Sequence, residues 1–181
     1  MDQEIKAFGG VLYSEEQIAR RVAELGDVIS RDYAGKELML VAVLKGSVVF
    51  LADLMRSIKI PCGIGFIGTS SYSGISTTKS VTITIPLTQS VKGKNVIIVE
   101  DILDTGYTLQ TLKAYMLEDQ GAKDVRICTM LDKPGRREVP EIKADYYGFA
   151  IPNEFVIGYG LDYNEMYRNL PFIGTLDESK L

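Results

Sequence analysis

The stretch Val96-Ile-Ile-Val-Glu-Asp-Ile-Leu-Asp-Thr-Gly-Tyr-Thr-Leu109 decides how this chain is read. Val96 to Val99 is a short unbroken apolar run, the pattern of a strand covered on both faces. Two adjacent carboxylates, Glu100 and Asp101, follow it as a polar turn, and a third, Asp104, opens a Thr105-Gly106-Tyr107-Thr108 loop. A helix is predicted from about Thr108 to Gln120, with Leu109, Leu112, Tyr115 and Met116 inward and Gly121 as its stop. Backbone N–H groups of the loop, two threonine hydroxyls and the helix N-terminus make a phosphate cradle. Gly106 permits close backbone approach or a positive φ. Three carboxylates beside an anion site would repel a phosphate unless they address something else. Sugar hydroxyls and a bound Mg²⁺ are their natural partners, so the run describes a site for a phosphorylated sugar.

Outward from that run the same alternation repeats. Ser14 stands three residues before Gln17 as a capping box, and Ile18, Val22, Leu25 and Ile29 form one helical stripe. Leu38 to Leu44 is a buried-strand run ending in a Lys45-Gly46 turn. A helix over about 47–58 is predicted to bury Val48, Leu51, Ala52 and Met55, and a strand over about 64–69 follows. Ser70 to Ser80 is rich in Ser, Thr and Gly, and reads as a flexible loop. Val81 to Ile85 alternates, and Val125 to Leu131 is a further strand. Strand-helix-strand units of this kind predict an α/β, doubly wound, mostly parallel sheet with helices on both faces. Ligands then sit beyond the carboxyl ends of the strands. There is no repeat, linker or low-complexity tract, so residues 1–181 are expected to be one domain.

Composition narrows the chemistry. The 181 residues include no histidine, which removes histidine-based nucleophilic, zinc and acid-base sites together. Proton transfer falls to carboxylates, Lys, Tyr or Cys. Net charge is −4, from 20 Lys and Arg against 24 Asp and Glu, a poor basis for nucleic-acid binding. Cys62 and Cys128 form no CxxC and read as buried small residues of a reducing compartment. The longest apolar run, Leu38 to Leu44, is too short to span a membrane, and the N-terminus lacks a signal pattern. A cytoplasmic protein is expected.

The run from Val96 to Leu109 closely resembles the phosphoribosyl-pyrophosphate (PRPP) motif of type I phosphoribosyltransferases. Its Glu-Asp pair before Asp-Thr-Gly is similar to the hypoxanthine-guanine branch of that family. Val43 to Gly46 resembles the family's first substrate loop, and Ser70-Ser71-Tyr72 the start of its mobile lid. Leu131 to Lys133 resembles the purine-reading segment, and Phe155 to Arg168 the C-terminal base and pyrophosphate site. The matches keep the family's order from about residue 38 to 176.

The resemblance implies a type I phosphoribosyltransferase fold: a core over about 38–150, a small base-binding hood from about 1–13 and 151–181, and a lid including Ser71 and Tyr72. It implies that Glu100 and Asp101 hold the ribose hydroxyls, directly or through Mg²⁺. Asp104, the catalytic residue, would lie near purine N7, and Thr105, Gly106, Tyr107 and Thr108 would hold the 5′-phosphate. Lys45 and Gly46 would meet pyrophosphate through a peptide that family members can hold cis, and Arg168 would clamp that pyrophosphate. Lys133 would donate to a purine 6-oxo group, Phe155 would stack on the base, and the Val156 backbone would bond its edge. Asp162, in the base-binding segment, would ligate Mg²⁺. The implied reaction joins PRPP to hypoxanthine or guanine, giving IMP or GMP and pyrophosphate. Lys133 argues against adenine and leaves xanthine open. Family members form homodimers or homotetramers, and no nucleic acid or membrane partner is expected. The alternative is a PRPP- or nucleotide-sensing regulator on the same fold, against which the lid and Asp104 argue. A phosphoaspartate receiver would place its acidic pair after the first strand, and it explains neither the Thr-Gly-Tyr-Thr loop nor the C-terminal segment.

Overall fold

The structure is a computed structural model and describes residues 8–71 and 81–177. The chain runs β1 (Phe8–Tyr13), α1 (Glu15–Asp32), β2 (Leu38–Leu44), α2 (Val48–Ser57), β3 (Gly63–Ser71) and β4 (Val81–Ile85). It continues through β5 (Asn95–Leu103), α3 (Tyr107–Ala114), β6 (Asp124–Asp132), β7 (Tyr146–Ala150), β8 (Val156–Ile157) and β9 (Ile173–Leu176). Six strands form one sheet in the order β4-β3-β2-β5-β6-β7. All its neighbours are parallel except β3 and β4, so an antiparallel edge strand closes one side.

The apolar runs predicted for β2 and β5 serve two cores at once. Leu40, Ala42, Ile97 and Val99 face α1 and α2, where Ile18, Val22, Leu25 and Ile29 deliver the predicted stripe. Met39, Val41, Val43, Val96 and Ile98 face α3 through Leu109, Leu112 and Met116. Helices therefore cover both faces, which is why these strands tolerate no alternation. The Ser14–Gln17 capping box forms as expected.

Three elements depart from the pattern. In α2 the inward stripe is Phe50, Leu51 and Leu54, while Val48 is 41% exposed. Ser47 takes the first inward position at that phase, fully buried, and spends its hydroxyl on the Val43 carbonyl at 2.6 Å. Next, β5 does not stop at Val99: Glu100, Ile102 and Leu103 stay paired with β6, because Ile102 and Leu103 resume the apolar pattern beyond the acidic pair. Last, α3 ends at Ala114 and passes into a π-helical turn, Tyr115–Asp119, before Gly121 at φ 67°. Cys128 is buried in the core as expected, but Cys62 is only half-buried, and both are unpaired.

A second, three-stranded antiparallel sheet has the order β1-β9-β8. It ties the N-terminal segment to the chain beyond β7. No helix among the described residues is long and apolar enough to cross a membrane. Tyr72 and the rest of the predicted lid, residues 72–80, lie outside the described residues, while Ser71 ends β3 opposite Val81.

Candidate active site

Because β2, β5 and β6 are adjacent and parallel, their carboxyl ends bring together three loops that are distant in sequence. Lys45 and Gly46 follow β2, Asp104 follows β5, and Lys133 follows β6. Glu100 and Asp101 lie within the last turns of β5 itself, so a strand rather than a loop holds them.

Beside them the loop from Asp104 to Thr108 lines a hollow of about 190 Å³ together with Glu100 and Asp101. Gly106 sits there at φ 100°, and a Cβ on it would lie 3.1 Å from Val139 and 3.3 Å from Arg137, a conformation and a closeness that favour glycine. Tyr107 is not among the residues that line the hollow, and its hydroxyl reaches Glu138 at 3.3 Å. Gln110 N–H already bonds the Gly106 carbonyl, which starts α3 there.

On the other side, the Leu44–Lys45 peptide is cis. Gly46 lies between two neighbours that leave no room for a side chain: its own Cβ would overlap the Asp101 carboxylate, and a Cβ on Gly160 would overlap the Gly46 carbonyl. Gly160 has φ 99°. Around this contact stand Lys45, Asp162, Glu165 and Arg168. Arg168 donates to the Gly160 carbonyl at 2.9 Å and pairs with Asp162 Oδ1 at 2.8 Å, while its Nε is buried without a partner among the described residues. Lys45 Nζ pairs with Glu165 at 2.8 Å.

A larger cleft of about 700 Å³ opens past Asp104, lined also by Lys133, Arg136, Glu154 and Phe155. Lys133 is only 9% exposed, and its ammonium donates to the Glu154 carbonyl at 2.7 Å. Phe155 meets Tyr163 edge-on, with ring centroids 5.6 Å apart, which sets the plane of its ring. The Phe155 carbonyl accepts from Leu176 N–H, and Val156 pairs opposite Thr175. In an antiparallel ladder the residue between two bonded neighbours turns its N–H and carbonyl the other way. Val156 therefore presents both to the open edge of the small sheet.

Electrostatics single out the acidic pair. Burial pushes Asp101 up to about 6, with Arg168 acting in the opposite direction. Burial also holds Glu100 well above the ordinary carboxylate range, and Asp101 adds to the rise. Two crowded carboxylates that resist ionisation are a site with surplus negative charge, which a cation relieves. The donors are all oxygen, and Mg²⁺ commonly takes one or two carboxylates plus substrate phosphates rather than a ready-made cage. That agrees with the lack, among the described residues, of any group of three potential ligands. Glu100 and Asp101 fit such an ion. Asp162 instead gives Oδ1 to Arg168 and Oδ2 to the Glu165 N–H.

Four residues here escape sequence reasoning. Arg136 Nε lies 3.1 Å from the Asp104 carboxylate. Arg137 ties the Asp104 and Ile142 carbonyls and the Asp132 carboxylate into one knot. Glu154 supplies the carbonyl for Lys133, and Glu165 bridges to Lys45. An Arg-Arg doublet between two strands reads as a solvated charge, and only the proximity of β5 and β6 connects it to Asp104.

Comparison with known proteins agrees with this geometry. The profile of the phosphoribosyl transferase domain matches residues 10–164. A hypoxanthine-guanine phosphoribosyltransferase of Lactococcus lactis subsp. lactis is 48% identical over 172 residues, 94% of this chain and 92% of that protein. A hypoxanthine phosphoribosyltransferase of Salmonella typhimurium is 46% identical over 169 residues, 92% of this chain and 94% of that protein. The crystal structure of a hypoxanthine-guanine phosphoribosyltransferase from Bacillus anthracis, with a HEPES molecule in its active site, superposes with a TM-score of 0.90. It is 47% identical and covers 94% of this chain and 99% of its own. With a profile matched over most of the chain and relatives 46–48% identical over more than nine-tenths of it, the chain belongs to the phosphoribosyltransferase family.

Proposed function

We propose that this enzyme transfers the 5-phosphoribosyl group from PRPP to N9 of hypoxanthine or guanine, releasing IMP or GMP and pyrophosphate in purine salvage. The observation that carries the reading is Lys133, a nearly buried ammonium across one cleft from Asp104 and beside Phe155. An ammonium donates to a 6-oxo group and has nothing to offer the 6-amino group of adenine. Phe155 stacks on the base, and the open backbone groups of Val156 address its edge, in the hood made by β1, β8 and β9.

In the transition state positive charge grows on the ribose and negative charge on the departing pyrophosphate. Glu100 and Asp101 face the ribose and favour the first charge. Lys45, the Gly46 backbone and Arg168 hold the second. Glu100 and Asp101 would hold Mg²⁺ beside PRPP, and such an ion would supply positive charge against the leaving group. The loop from Asp104 to Thr108 grips the 5′-phosphate, and Asp104 takes the proton at purine N7 as N9 forms its bond. Closure of a lid that includes Ser71 and Tyr72 would keep water from the cationic sugar. An active carboxylate at the base cleft distinguishes this from a PRPP-sensing regulator, and the relatives, named as enzymes, lend that alternative no support. Unpaired cysteines suit a cytoplasmic enzyme, and a homodimer or homotetramer is expected.

The test is pyrophosphate release with PRPP and Mg²⁺ against hypoxanthine, guanine, xanthine and adenine. Turnover with the 6-oxo purines and discrimination against adenine of about 10⁴-fold are expected. Lys133→Met should shrink that discrimination, and unchanged rejection of adenine would remove Lys133 from base reading. Tight PRPP binding without release from any base would favour the sensor.

A further inference from the structure

The reaction as described leaves Glu165 without a role. Tyr163 and Met166 exchange backbone hydrogen bonds of 3.1 and 3.0 Å, and between them Asn164 and Glu165 have φ of 50° and 64°. Two central residues with positive φ make this a type I′ turn, whose central positions favour Asn, Asp and Gly. Asn164 obeys that preference, and Glu165 stands where glycine would be at ease. A bulky residue kept in such a conformation is a reason to look at what its side chain touches.

It touches both cations of the pyrophosphate side. One carboxylate oxygen of Glu165 takes Lys45 Nζ at 2.8 Å, and the other lies 3.4 Å from Arg168 Nη2. Lys45 pulls the Glu165 carboxyl below its ordinary range. Asp162 secures the turn from beneath, receiving the Glu165 N–H at 2.9 Å. Arg168 still has a buried Nε–H with no acceptor among the described residues. The two cations come from loops 123 residues apart in sequence, and this single carboxylate reaches both.

We propose that Glu165 is an internal stand-in for pyrophosphate, gathering Lys45 and Arg168 in the empty site and competing with the anion for them in the filled one. The proposal rests on the assignment of pyrophosphate to Lys45 and Arg168. A carboxylate ready to retake both cations shortens the stay of the leaving group. It also keeps adventitious anions from occupying the pair.

Titration calorimetry of magnesium pyrophosphate into the wild-type protein, Glu165→Gln, Glu165→Gly and Arg168→Gln tests it. Glu165→Gly gives the turn its preferred residue, so loss of the carboxylate is read without dependence on how Gln folds. Both Glu165 variants should bind about three- to tenfold more tightly, as exposed ion pairs of this strength allow, and the gap should narrow at high ionic strength. A merely structural Glu165 would give weaker binding instead. Equal or weaker binding by both variants, with binding lost in Arg168→Gln, overturns the stand-in alone. Binding unaffected by Arg168→Gln, or absent from all four proteins, overturns the pyrophosphate assignment and the stand-in with it.

Discussion

Asp104 shows how much one carboxylate's neighbours decide. It lines the larger cleft with Arg136 at 3.1 Å, and Arg137 fixes its own carbonyl, so its position is held from the β6–β7 connection. Asp104→Ala is expected to lower turnover by about 10²- to 10⁴-fold while PRPP still binds, and a wild-type rate would remove the assigned role. Asp101 makes a different prediction, because its cost falls on stability. Its carboxyl rises from 3.8 to about 6 on folding, so between those values the native state binds more protons than the unfolded one. Stability of the metal-free protein should therefore fall as pH rises from about 4 to 6, and the loss persists above it. Asp101→Asn should flatten that slope and raise stability near neutral pH by about 1–3 kcal/mol while impairing PRPP binding. Urea unfolding at several pH values checks both statements, and an unchanged slope would refute them.

Elements, rather than side chains, hold the Lys45-Gly46 loop in place. The end of β2, the end of β5 and the loop after β8 meet where Gly46 sits between the Asp101 carboxylate and Gly160. Gly160→Ala would meet both a left-handed backbone and the Gly46 carbonyl, so a loss of about 2–4 kcal/mol and of pyrophosphate release is expected. Denaturant unfolding with a parallel activity assay measures this; an unaffected protein would mean the loops are not locked together. At this scale the sequence is legible wherever one pattern has one cause. The runs of β2 and β5, the stripe of α1 and the capping box stand where periodicity puts them. The inward face of α2 was hidden by a polar residue, Ser47, at its first inward position. The far end of β5 was hidden by two carboxylates that interrupt its apolar run without ending its pairing. The site is legible in the same uneven way. Asp104, Lys133 and Arg168 stand in recognisable runs, whereas Arg136, Arg137 and Glu165 matter only through contacts that the fold creates.

At the scale of the whole molecule, one apolar face lies exposed among the described residues. Ile64, Phe66 and Ile85 are exposed on the side of the sheet that α1 and α2 cover elsewhere, and Ile85 lies over Gly68. A patch of this kind suits contact between copies of the chain. Sedimentation should show an oligomer, and Phe66→Asp should shift it toward monomer; an unchanged assembly would place the interface elsewhere. The small sheet has a further consequence for how a growing chain becomes an enzyme. Among the described strands β8 pairs with β9 alone, and β9 joins it to β1. During synthesis β5 and the loop after it are therefore made well before β8 and β9 can pair. A nascent or truncated chain ending ahead of residue 173 would hold Asp104, Lys133 and Phe155 but lack the strand that ties Val156 to β1.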